Sequence, residues 1–118
     1  MPRLILIYNP NSSNYRRVKK DILDNRKKIF AGYHLDEYTI KKIGFENNVK
    51  NLTQILRDQD TCLSLGGDAT AAITANAIMS FRFIRALLHK KLICTRFGIV
   101  KFHWLNGPLY NDTVSNTV

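Results

Sequence analysis

An α/β fold, three-layered α-β-α around a mainly parallel sheet, is predicted by three observations. The runs Arg3–Tyr8 and Thr61–Leu65 are apolar without alternation, the pattern of strands covered on both faces. Between them lie two helical patterns and another strand, so the chain reads β-α-β-α-β-α, an order that implies right-handed crossovers. Each apolar run also stops at a tight turn, where ligands of open α/β sheets bind.

After the first run, Asn9-Pro10-Asn11-Ser12-Ser13-Asn14 is a row of turn formers, and Ser13 or Asn14 can cap the helix that follows. From Tyr15, Val18, Ile22 and Ile29 recur at helical intervals with basic residues between them, predicting one helix to about Gly32. Residues 33–40 read as a second strand. After Gly44 an amphipathic helix carries Phe45, Val49, Leu52, Ile55 and Leu56 on one stripe, and Asp58-Gln59-Asp60 closes it. The third strand, Thr61–Leu65, is broken by Gly66 and Gly67. A helix then opens at Asp68 and, with Ile73, Ala77, Phe81, Ile84 and Leu88 in phase, extends to about His89. Residues 92–94 and 98–102 are candidate strands, and the remainder is expected to be coil.

A strand, a glycine turn and a helix start leave backbone N–H groups unpaired, and glycine admits a ligand without a Cβ in the way. Such a device binds anions, phosphate above all. An ordinary strand-to-helix turn would use the same residues, and Asp68 would then serve as its N-cap.

Gly66-Gly67-Asp68-Ala69-Thr70, preceded by a hydrophobic strand, resembles the GGDGT signature of the diacylglycerol kinase catalytic-domain family. That family includes sphingosine and ceramide kinases and, more distantly, NAD kinase. The first strand with Asn9-Pro10-Asn11-Ser12-Ser13 resembles the family's opening strand and NPxSG turn, so two motifs occur in the family's order. The likeness covers about residues 3–79 and corresponds to the nucleotide-binding lobe. It implies ATP and Mg²⁺ as cofactors and phosphoryl transfer to a lipid as the activity. Gly66, Gly67 and Ala69 would bring the backbone to the phosphates, and Thr70 would offer a hydroxyl. Asp68 would hold Mg²⁺ as the catalytic and metal residue. Asn9, Ser12 and Ser13 would meet the nucleotide across the crevice, and Thr39 matches a threonine that ends the family's second strand near it. Two departures stand out: Ser13 and Ala69 each place a Cβ where the family has glycine. The family's third, Gly-rich signature has its nearest counterpart in Gly107-Pro108-Leu109-Tyr110-Asn111-Asp112.

At 118 residues the chain is expected to form a single domain, with residues 80–118 a divergent basic segment. The net charge is +9. Eight acids fall between Asp21 and Asp68 and none follows until Asp112, an interval holding Arg82, Arg85, Lys90, Lys91, Arg96 and Lys101 among several aromatics. This pattern suits an anionic membrane surface, a nucleic acid or phosphate-bearing ligands, and a solvated basic face would use the same residues. Taken with the resemblance, the expected partners are a nucleotide and an anionic membrane surface or lipid substrate, with nucleic acid the least favoured. The pattern predicts a salt-sensitive preference for anionic over neutral vesicles; a merely solvated basic face would show none. No apolar run reaches spanning length, and Cys62 and Cys94 make neither a disulfide framework nor a zinc site. The expected place is therefore the cytoplasm, peripheral to the membrane, with a homo-oligomer left open. His34, His89 and His103 have no ligand-spaced partners in the sequence. Because the family builds its acceptor site and base partly in a second, β-rich lobe, little or no lipid kinase activity is expected of these 118 residues alone. The alternative is a non-catalytic protein that binds nucleotides or anionic surfaces.

Overall fold

The structure is a computed structural model that describes residues 2–89, 101–105 and 113–117; beyond Phe83 it describes backbone alone. Among the described residues five strands form one sheet: β1 (Arg3–Tyr8), β2 (His34–Thr39), β3 (Thr61–Leu65), β4 (Lys101–Leu105) and β5 (Thr113–Thr117). Their order is β2-β1-β3-β4-β5, parallel throughout except for the antiparallel β4–β5 pair. The helices are α1 (Tyr15–Asp21), α2 (Arg26–Ile29), α3 (Phe45–Ile55) and α4 (Asp68–His89), with a 3-10 turn at Leu23–Asn25.

The alternate side chains of β1 enter two separate cores. Ile5 and Ile7 join Cys62, Tyr38, Leu52, Leu56, Ile73, Ala77 and Ile78 on the face covered by α3 and α4. Leu4 and Leu6 join Leu63, Leu65, Val18, Ile22 and Leu23 on the face covered by α1 and the 3-10 turn. Both faces are dry, which is why these strands do not alternate in polarity. From β1 the chain crosses to β2 on one side, and from β3 it crosses to β4 on the other. With one crossover hand, that reversal puts the two sets of helices on opposite faces.

Several boundaries differ from the sequence reading. The expected single helix after Tyr15 breaks at Ile22, whose φ/ψ of −121°/−59° leaves the helical basin. Ile22 and Leu23 are adjacent yet both buried, and the tighter 3-10 turn is what carries both into the core. The break also rotates the next turn, so Ile29, expected inside, is 50% exposed. Neither expected cap forms: Asn14 occupies the N-cap position, but its Oδ1 accepts from the Ser12 hydroxyl at 2.7 Å. In α3, Leu52 is buried as expected while Phe45 and Ile55 are exposed. Buried instead is Asn48, whose amide oxygen accepts from Tyr38 Oη at 2.8 Å and Lys41 N at 3.0 Å. Its Nδ2 donates to the carbonyls of Lys41 and Gly44, so this one side chain holds the β2–α3 connection. The strand expected at 98–102 lies at Lys101–Leu105, and the expected terminal coil contains β5, because β4 offers an unpaired edge. Residues 92–94, Cys94 and the Gly107 to Asp112 stretch fall outside the described residues.

Candidate functional site

Three of the sequence-predicted site segments emerge side by side at the carboxyl edge of the sheet. Tyr8 at the end of β1 is in register with Leu65 at the end of β3 and with Thr39 at the end of β2. The turn at Asn9 therefore starts one strand spacing, about 4.8 Å, from the turn at Gly66. These two turns flank the point where the strand order reverses. Their crossovers depart in opposite directions, which leaves a crevice between them.

On the β1 side the turn is held by its own polar groups. Asn9 O accepts from Ser12 N at 3.1 Å, and Asn9 Oδ1 accepts from Asn11 N at 2.9 Å. Two amides that could have faced a phosphate are thus engaged within the turn. Ser13 is exposed and Ser12 half-buried. Beneath the turn Tyr8 and Tyr15 stack with ring centroids 6.0 Å apart. Tyr8 Oη donates to Glu37 Oε1 at 2.6 Å, and Glu37 also pairs with Arg26 at 2.9 Å. Burial, then the Glu37 hydrogen bond and charge, push the Tyr8 phenol up, so it stays protonated. Sequence reasoning passed over this support because Glu37 reads as one more polar strand residue.

On the β3 side Gly66 is buried with φ +155° and Gly67 is half-buried. The first intrahelical bond of α4 runs from Ala71 N to Gly67 O at 3.1 Å. Gly67 is thus the capping residue and Asp68 the first helical one, exposed at the positive end of a 22-residue helix. The amides of Asp68, Ala69 and Thr70 precede that first bond. Ser13 and Ala69 both hold negative φ, Gln59 being the one positive-φ non-glycine among the described residues, so the Cβ each adds strains no backbone. The Thr70 side chain is buried beneath Gly66, with Oγ1 3.2 Å from where a Gly66 Cβ would stand.

That contact separates the two glycines experimentally. Gly66→Ala is expected to destabilise the protein by about 1–3 kcal/mol through backbone strain and the Thr70 clash. A Cβ at Gly67 meets nothing within 4 Å, so Gly67→Ala should change stability by less than about 1 kcal/mol. Urea denaturation of both variants checks this, and equal effects would show that the turn is not built on Gly66.

The arrangement offers main-chain donors and one carboxylate to an anion with its cation. Among the described residues no group of three or more His, Cys, Asp or Glu stands together to hold a metal, so a cation at Asp68 would draw its other ligands from water and phosphate. His34 lies 3.7 Å from Asp36 at the opposite edge of the sheet. A concavity of about 400 Å³ is lined by Leu23, Asp24, Asn25, Arg26, Lys27 and Lys28, none of which belongs to the strand-end turns. No helix among the described residues is long and apolar enough to cross a membrane. Compared with protein-family models, with curated proteins and with solved structures, the chain matches none.

Proposed function

We propose that the chain is an ATP-binding, diacylglycerol-kinase-like phosphotransferase domain that takes Mg-ATP at the β1/β3 crevice. One observation carries the reading: the two turns that resemble the family's signatures leave adjacent strands at registered residues, on either side of the reversal in strand order. Phosphoryl transfer asks a protein mainly for positioning and charge stabilisation. The amides of Asp68, Ala69 and Thr70 receive the phosphates, and Gly66 and Gly67 keep the approach open. Asp68 takes Mg²⁺ directly or through water. Asn9, Ser12 and Ser13 close the crevice from β1, and Thr39 borders it from β2. The acceptor is a lipid hydroxyl.

A second reading, non-catalytic binding of a nucleotide, is favoured by the carboxylate count at these turns. Asp68 is the one carboxylate on them, which leaves no second one to take the acceptor's proton. Titration with ATP at low and high magnesium, followed by amide chemical shifts, tests the site. Gly66, Gly67 and Thr70 should move, and Asp68→Ala should lose the magnesium dependence and weaken binding at high magnesium roughly tenfold, as loss of an interaction with a charged group does. Unmoved glycine amides would end the phosphate role. Labelled phosphate passing from ATP into diacylglycerol, dependent on Asp68, would decide for the kinase over the binding protein.

A further inference from the structure

We propose that the outer face of the segment from α1 to the start of β2 docks on an anionic lipid bilayer. Residues 14–33 carry seven cations against two carboxylates, more than half of the chain's net charge of +9. Val18, Ile22 and Leu23 turn into the sheet, which leaves Arg16, Lys20, Lys27 and Lys28 exposed on the other side. Of the seven, Lys19 and Arg26 are engaged with Asp24 and Glu37, and Arg17 is engaged as well, so the attraction rests on the other four.

What distinguishes this face from a solvated basic helix is apolar. Ile29 is 50% exposed and Tyr33 is 40% exposed, on either side of a tight turn closed by Tyr33 N donating to Phe30 O at 3.2 Å. An aliphatic residue and a tyrosine beside lysines match the boundary between headgroups and acyl chains, where apolar contact and anionic lipid act together. A polyphosphate chain in water has no use for Ile29. Charge complementarity thus selects an anionic partner, and the two apolar side chains select a membrane.

The Tyr33 end of this face lies away from the crevice, although α1 starts beside the Asn9 turn. Tyr33 precedes His34, which pairs with Arg3 at the amino edge of the sheet, whereas Asn9 and Gly66 lie at the carboxyl edge. Contact of Tyr33 with the bilayer is therefore made at the end of the sheet opposite the crevice.

Co-sedimentation of the full chain with phosphatidylcholine vesicles, with and without phosphatidylserine, tests the assignment. The protein should favour the anionic vesicles and be released by salt. Lys27→Gln with Lys28→Gln should weaken binding roughly 30-fold, about fivefold for each cation lost near the surface. Ile29→Ser with Tyr33→Ser should weaken it further at unchanged charge, while circular dichroism of both variants stays that of the parent because the residues are exposed. Equal partition onto both vesicle types would overturn the proposal. So would vesicle binding unaffected by either double substitution but lost in Lys90→Gln with Lys91→Gln. Tighter retention on a single-stranded RNA oligonucleotide, indifferent to Ile29→Ser, would assign the face to nucleic acid and overturn it equally.

Discussion

Asp60→Ala should cost about 3–5 kcal/mol of folding free energy, a large share of the roughly 5–15 kcal/mol that holds a domain together. Asp60 is 2% exposed and sits just before β3. It accepts from Arg3 Nε at 3.1 Å and Nη2 at 2.9 Å, and from Arg57 N at 2.7 Å. Arg3 opens β1 and reaches on to Asp36 of β2 at 3.1 Å, so one guanidinium ties the amino ends of three neighbouring strands. Removing the carboxylate takes away three hydrogen-bond acceptor contacts at once, those to Arg3 Nε, Arg3 Nη2 and Arg57 N, and leaves the mostly buried guanidinium with the half-exposed Asp36 as its counter-charge. Arg3→Ala should be comparably damaging, because the carboxylate left behind is the more deeply buried of the pair. Arg3→Met with Asp60→Leu should recover much of the loss, since an apolar pair needs no compensation. Thermal unfolding reads the effect as a drop of roughly 10–25 °C for Asp60→Ala. A drop within a few degrees of the parent would show that the strand ends are held by something else.

Alkaline pH should reveal the burial of Cys62. This thiol, fully buried on β3, is pushed up to about 12, chiefly by burial and then by the Asp60 charge, with Arg3 opposing. In the unfolded chain it ionises near its ordinary value of 9.0. Between these values the unfolded state binds fewer protons than the folded one, so stability present below about pH 9 falls as pH rises. The loss grows by about 1.4 kcal/mol per pH unit and reaches about 4 kcal/mol near pH 12. Urea denaturation of the parent and of Cys62→Ala, from about pH 8 to about pH 11, isolates the contribution. Tyr8 and the other tyrosines titrate in both proteins and cancel in the difference. Parallel pH curves would mean that the thiol is not sequestered.

The class of fold was legible because its main signals are local. Unalternating apolar strands, helical spacing in between and glycine at a strand end depend on near neighbours in the chain, and β1, β3 and the full length of α4 lie where those signals put them. The turns at Asn9 and Gly66 were legible for the same reason, as strand ends. The break at Ile22 was not, since helical spacing describes one helix at a time and cannot register that Ile22 and Leu23 must enter the same core. Nor was β5, whose residues form a strand by pairing with an edge that β4 supplies.

Placement of the candidate site required the strand order. The sequence marks two turns but does not say that β1 and β3 become neighbours with Tyr8 opposite Leu65, because that pairing is made across more than fifty residues of chain. It also left unsaid which polar residues are structural. Arg3, Asp60 and Asn48 look like surface residues by composition, yet each is drawn inward by partners distant in sequence or by a carbonyl that must be satisfied when water is excluded. Charge was countable from the start; that the part of it carried by residues 14–33 lies beside an isoleucine and a tyrosine turned outward was decided by how that helical layer packs on the sheet.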